Sequence, residues 1–331
     1  MPITLLVPSV DDLSLVSSTS ATATQQVQAQ LAALAAENTA RIKELQAEVA
    51  ALREKVSPAP KKFMLYSPLY VWPGTYASGT WVLSPAWQRL IDVKKAHPNL
   101  TVAAVVNHAN GDFDLGIGIL SSTIEAAAKP NPDFLAGISA LRAGGVDVYG
   151  YIYTRWGARS KTTIMQRARL WQKLYGVKKI MWDEMDATVG RSGYYFDLKA
   201  QTGLLGYDGW IGNPGVVMPG EYIGSCSCII VYEHTGLPTL ADLQLRCFNG
   251  AVGYENFGLT PHTVTAYSSQ WVTDAKKYAY AICVHNDGAD GNPWNTQTSY
   301  LEQLANDLDP TITTSTTTTT TTTSSTTVAA K

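Results

Sequence analysis

Apolar positions from residue 25 to residue 56 recur at helical spacing, and neither Gly nor Pro interrupts them. Ile42, Leu45, Val49, Leu52 and Val56 alternate steps of three and four, with β-branched side chains at one seam position and Leu at the other. A narrow seam of that kind, flanked by Glu, Gln, Lys and Arg, predicts a self-associating coiled coil. Val27, Leu31 and Leu34 keep the rhythm upstream, and the two four-residue steps through Asn38 to Ile42 read as a stutter. A single amphipathic helix lying on its own globular domain is the alternative. Ile and Val alternating with Leu lean towards a dimer, whereas fibre stalks commonly close as trimers, so the expected homo-oligomer is a trimer or a dimer. Ser57 to Lys62 (SPAPKK) stops the helix and spaces it from the next domain.

Beyond the spacer the pattern changes to short β-branched and aromatic runs. They fall at residues 63–71, 101–107, 146–154, 178–184, 208–215, 228–233, 250–256 and 278–285, and helical periodicity follows most of them, at 85–96, 132–143, 161–174, 240–246 and 298–308. Eight strand-plus-crossover units predict an α/β fold of the (β/α)8, TIM-like barrel type. A doubly wound open sheet is the competing architecture, but no Gly-rich phosphate loop follows the first strand. The expected organisation is an N-terminal attachment segment (1–24), a coiled-coil oligomerisation helix (25–56), a linker (57–62), the barrel (63–309) and a low-complexity tail (310–331). Thr311 to Thr327 contains only Thr and Ser apart from Ile312, too polar to bury a core.

Composition narrows the partners. The 331 residues carry 25 Lys+Arg against 27 Asp+Glu, and no basic stripe stands out, which argues against nucleic acid. No apolar run is long enough to span a membrane, and the start, MPITLLVPSVDD, lacks the basic flank and apolar stretch of an export signal. Cys226, Cys228, Cys247 and Cys283 form no paired CxxC arrangement, so no metal and no cofactor are expected. Nine Trp and 17 Tyr against six Phe suit a surface that binds polar rings such as sugars, although a Tyr-rich core gives the same count.

Barrels of this kind build their active sites at the C-terminal ends of the strands. Here strand two ends in Asn107-His108-Ala109-Asn110, strand three in Tyr151, Tyr153, Thr154, Arg155 and Trp156, and strand four in Asp183-Glu184. Strand five ends in Asn213, strand six in Tyr232-Glu233-His234, and strand seven in Glu255-Asn256. Strands four and six have equal parity, so acids ending them can face each other across the mouth. Glycoside hydrolysis needs such a pair, one carboxyl protonated and one ionised. Tyr70, Trp72, Tyr151, Tyr153, Trp156, Trp182, Trp210 and Tyr232 can stack on sugar faces, with some of them belonging to the core.

PLYVWPG (68–74), NHANG (107–111), GYIYTRWGAR (150–159), MWDE (181–184), GNPG (212–215), VYE (231–233) and NPW (292–294) together resemble the spherulin-4 family. Relatives in that family include glycoside hydrolases acting on galactosamine-containing exopolysaccharides. The resemblance runs from Phe63 to Leu308 and places the family's Asp-Glu pair on Asp183 and Glu184 and its later acid on Glu233. His108 stands where the family usually has proline, Trp156 where it usually has tyrosine, and Glu255 looks like an additional acid. Asp183 is expected as nucleophile or charge stabiliser, Glu233 as general acid/base, and Glu184 as an orienting group or a sharer of the first role. Tyr70, Trp72, Asn107, Asn110, Tyr151, Tyr153, Arg155, Trp156, Asn213, Tyr232, Glu255 and Trp294 are the substrate-binding candidates.

Three functions fit this sequence: a hydrolase cutting inside a surface polysaccharide, a sugar-binding adhesin without turnover, and a structural subunit in which the barrel is a stable knob. A coiled-coil stalk without an export signal, together with a low-complexity tail, suggests a phage virion protein, with other virion proteins as partners of the termini. Secretion by another route is the alternative location.

Overall fold

The computed structural model describes residues 25–38, 40–41, 44, 62–288, 291–309 and 311, which fall in two compact units, Met1–Pro60 and Lys61–Lys331. In the first unit residues 25–38 are helical (α1), with Val27, Leu31 and Leu34 exposed. The seam from Ile42 to Val56, the attachment segment 1–24 and the tail beyond Thr311 lie outside the described residues. Among the described residues no helix is long and apolar enough to cross a membrane.

The second unit starts with β1 (Met64–Leu69), a hairpin of β2 (Gly74–Ala77) and β3 (Thr80–Leu83), and α2 (Pro85–Ala96). It continues through β4 (Thr101–Val106), α3 (Ser122–Ala127), α4 (Pro132–Ala143), β5 (Asp147–Tyr153), α5 (Lys161–Tyr175), β6 (Lys179–Asp183) and α6 (Ser192–Leu204). The remainder is β7 (Gly209–Gly212), β8 (Cys228–Tyr232), α7 (Leu240–Arg246), β9 (Phe257–Leu259), α8 (Ser269–Ala275), β10 (Ala281–Ile282) and α9 (Leu301–Leu308). β1 and β4 to β10 close into an eight-stranded, wholly parallel barrel, in which β10 pairs with β1. These eight are barrel strands one to eight, and the hairpin is an insertion after the first.

Helices start where their caps dictate. Asn131 accepts from the Asp133 and Phe134 amides to open α4, and Thr239 with Asp242 forms a reciprocal capping box on α7. Period-two alternation then sorts the strand side chains into two buried shells. Leu65, Val102, Val148, Ile180, Trp182, Ile229 and Val231 face the helices, whereas Met64, Tyr66, Ala103, Val105, Tyr149, Tyr151, Met181, Ile211, Ile230 and Tyr280 fill the barrel. Four tyrosines are therefore barrel filling, which accounts for part of the aromatic excess. Cys226, Cys228, Cys247 and Cys283 are all buried thiols.

One strand expectation fails. Residues 250–256 are turns and a 3-10 helix, with the Asn256 amide bonded to the Gly253 carbonyl at 3.2 Å, and strand seven is the fully buried run Phe257–Leu259 immediately after them. A side chain on Gly258 would collide with Cδ1 of Ile230, its partner on the adjacent strand β8, and press Cys228 Sγ at 3.0 Å, so these neighbours pack into the space that glycine leaves. The last helix begins at Leu301 rather than at residue 298, and the Thr298 hydroxyl before it donates to the Val284 carbonyl at 2.8 Å.

Candidate active site

Trp182 packs outward beneath the helices, so Asp183, the last residue of β6, turns into the barrel mouth. It accepts the Tyr151 hydroxyl at 2.7 Å and Asn213 Nδ2 at 2.8 Å, and the same Asn213 nitrogen donates to Glu233 Oε2. One buried amide thus bridges the carboxylates of strands four and six. Because each N–H···O bond spans about 3 Å, the two bridged oxygens lie within about 6 Å of each other. Trp294, whose ring fills the barrel interior, also hydrogen-bonds Glu233.

Glu233 reaches the mouth through an irregularity. On β8, Cys228 and Ile230 face in while Ile229 and Val231 face out, and strict alternation would bring Tyr232 in and send Glu233 out. The β8–β9 register shifts between Ile230 and Tyr232, the mark of a β-bulge, and the order reverses. Tyr232 instead lies under α7: the Arg246 guanidinium covers its ring at 5.0 Å, and its hydroxyl donates to the Gly236 carbonyl at 3.0 Å. The expectation that Tyr232 binds substrate is therefore corrected.

Glu255 is corrected as well. It stands in the turn before strand seven, next to Tyr254, whose ring packs on Phe63 at the start of strand one. That is the N-terminal end of the barrel, opposite the mouth. Trp294 serves as a hydrogen-bond partner of the acid, with His262 and His285 against its ring at 5.9 and 5.5 Å. Trp182 and Trp210 belong to the outer shell, Trp210 bonding Thr202 Oγ1 at 2.9 Å.

The remaining candidates surround the mouth. Glu184 adopts a left-handed backbone (φ 50), as do Arg155 (φ 52) and Trp156 (φ 50), a conformation that costs a non-glycine residue about 1–3 kcal/mol. Hydrogen bonds from Thr154 Oγ1 and the Trp156 amide to the Glu184 carbonyl, both 2.7 Å, stitch the two loops together. Arg155 and Trp156 stand exposed on the rim. Asn107 Oδ1 accepts the Asn110 amide at 2.7 Å, and Gly111 (φ 75) lets that loop lie against the Tyr151 carbonyl. Tyr153 is held by Asp112 and by the Arg159 guanidinium 4.1 Å over its ring, while Asp112 also pairs with Arg159 and with buried Arg167.

Burial raises both bridged carboxyls. Glu233 moves from 4.5 to about 7, first through desolvation and then through the neighbouring Asp183. Asp183 is also raised by desolvation, but bonds from Tyr151, the Glu184 amide and Asn213 favour its ionised form. Desolvation thus favours the neutral form of Glu233, whereas three hydrogen bonds favour the ionised form of Asp183. Glu184 is raised by desolvation and by Asp183, with Arg155 opposing.

Two groups escaped the sequence reading. Tyr66 lies under the carboxylates with its buried hydroxyl unpartnered, and its alternation with Tyr70 along the first strand was the available signal. Asp133, which holds two indoles, has no sequence signature. Among the described residues no group of three His, Cys, Asp or Glu side chains is placed to hold a metal ion.

The sequence profile of spherulation-specific family 4 (Spherulin4) matches residues 65–308. The chain belongs to this family. Within it, Spherulin-4 of Physarum polycephalum is 27% identical over 263 residues, 75% of this chain and 70% of that protein. Aspergillus clavatus Sph3, solved in complex with GalNAc, shares the fold with a TM-score of 0.57 at 19% identity, covering 76% of this chain and 98% of that one. Spherulin-4 membership and the closed barrel together establish a TIM-like (β/α)8 domain over this part of the chain.

Proposed function

We propose that the barrel is a retaining glycoside hydrolase that cuts within a polysaccharide, with Glu233 as general acid/base. Asp183 is its ionised partner, attacking the anomeric carbon or stabilising the charge that grows there. The observation that carries this reading is the Asn213 amide bonded to both carboxylates. Retaining pairs stand about 5–5.5 Å apart, and pairs that admit a water between carboxylate and sugar about 6.5–9.5 Å. A single bridging nitrogen suits the closer class. The raised Glu233 supplies the proton for the leaving oxygen, and the hydrogen bonds on Asp183 keep it ionised. Glu184, one residue beyond, orients the sugar.

Sph3 carries GalNAc, so N-acetylgalactosamine oligomers and polymers head the substrate panel. The proposal includes display of several barrels on one oligomer, as on a virion fibre, supported by the exposed Val27, Leu31 and Leu34 seam. Weak binding at each site then adds through effective concentration. The test is release of reducing ends from the panel, with the anomer of the product read by NMR. Asp183→Asn should lose about 10² to 10⁴-fold in rate while still binding glycan. A rate near the parent's, or an inverted product, overturns the assignment. Saturable binding without cleavage by the parent establishes an adhesin in which the carboxylates accept sugar hydroxyls.

A further inference from the structure

A cavity opens between the loops after barrel strands one and two. It encloses about 230 Å³, and Tyr70, Trp72, Asn107, His108, Asp114 and Phe134 line it. At ~30 Å³ per water that is room for roughly eight molecules, a volume suited to one sugar ring rather than several.

Tyr70 is the wall shared with the mouth. Its ring meets Tyr151 edge-on at 5.5 Å, and Tyr151 carries the hydroxyl bonded to Asp183. The facing wall is Trp72, which is 51% exposed and yet held in place. Its indole nitrogen donates to Asp133 Oδ2 at 2.9 Å, and Phe134 meets its ring edge-on at 5.1 Å. Trp81 of the hairpin donates to the other oxygen of Asp133 at 3.0 Å, so the carboxylate clamps two indoles at once.

The base of the cavity is ordered in the same way. His108 stacks on Phe134 at 4.3 Å, with Nδ1 against the Tyr175 hydroxyl at 3.0 Å and Nε2 against Asp114 at 3.2 Å. The Asp114 side chain, 74% exposed, presents acceptor oxygens at the opening. No Lys or Arg lines the space, so a sugar carboxylate would meet Asp114 without a counter-charge. An exposed aromatic plane locked by a clamped hydrogen bond loses little entropy when a ligand settles on it.

The geometry points to a second sugar-binding subsite in this cavity, taking one uncharged pyranose of the same glycan whose neighbouring units occupy the carboxylate mouth. It rests on the proposed glycan function but not on turnover. The subsite explains why the hairpin is built into the first strand-to-helix connection: Trp81 shares the clamp that fixes Trp72. It also makes affinity depend on chain length, because a short oligomer fills only the mouth.

The test uses the full chain carrying Asp183→Asn, titrated calorimetrically with N-acetylgalactosamine oligomers graded from two to eight units. Affinity should rise with length until both places are filled. Adding Trp72→Ala should remove most of that rise, about tenfold in Kd at the longer lengths, the weight of one well-packed aromatic contact. Trp72→Phe, which keeps an apolar ring, should restore part of it. Circular dichroism on each variant separates loss of binding from loss of fold. A length dependence identical with and without the Trp72 indole overturns the subsite. Length-dependent binding that Trp72→Ala weakens, in a parent that cleaves nothing, keeps the subsite and overturns the hydrolase. A parent that binds no oligomer overturns both.

Discussion

Ionising Glu233 inside the folded mouth should weaken the fold, and replacing it with glutamine should return that loss. Burial, reinforced by Asp183, moves its carboxyl from 4.5 to about 7. In the unfolded chain the group ionises near the ordinary value. Between the two values the folded state therefore holds a proton that the unfolded state has released, and rising pH favours unfolding. The penalty is complete above about pH 7 and absent below about pH 4.5. At about 1.4 kcal/mol per pH unit, a shift of this size costs at most about 3 kcal/mol at pH 8. Glu233→Gln removes the charge while keeping the shape and one strong acceptor oxygen, as the protonated acid does. The variant should therefore gain at most about 3 kcal/mol at pH 8, roughly 6–12 °C in melting temperature for a domain of this size. At pH 4.5 variant and parent should melt together. Scanning calorimetry from pH 4.5 to 8 measures the difference, and hydrolysis by the variant should fall about 10² to 10⁴-fold over the same range. A stability difference that stays flat with pH refutes a raised Glu233, and with it the assignment of the proton to that carboxyl.

Two other perturbations probe separate parts of the chain. Tyr151→Phe removes the 2.7 Å bond that favours the Asp183 carboxylate, so the acidic limb of the pH–rate profile should move to higher pH while the limb set by Glu233 stays near 7; an unmoved acidic limb shows that another group controls it. Leu31→Glu together with Leu34→Glu places charges on the exposed seam of α1, and light scattering should show the oligomer falling to monomers. A parent that is already monomeric ends the stalk proposal.

Much of the barrel was legible because its signals are local. Pro132–Ala143 and Leu240–Arg246 carry their caps in contiguous sequence and Pro85–Ala96 its proline in the first turn, and the structure starts and ends all three at the expected residues. α6 was not foreseen, since Ser192–Leu204 mixes glycine, tyrosine and charge without a clean apolar stripe. The hairpin after strand one was also missed: its Trp81 is held by Asp133, a residue 52 positions away. Strand seven was placed one segment early, because Gly250 to Asn256 offers more apolar residues than the three-residue strand after it.

The carboxylate pair shows the same division. Strand order, parity and the position of Asp183 at the end of an alternating run are properties of the linear pattern, and from the sequence by itself strands four and six can bring acids to one mouth. Which side chain of Tyr232 and Glu233 enters that mouth was decided only in the tertiary structure. The bulge between Ile230 and Tyr232, where β8 pairs with the three-residue β9, reverses the alternation just before the acid. Proton placement is tertiary for the same reason. A carboxyl rises to about 7 only when a barrel wall excludes water from it and sets a second carboxylate within reach of the same amide, and both conditions come from residues far apart in the chain.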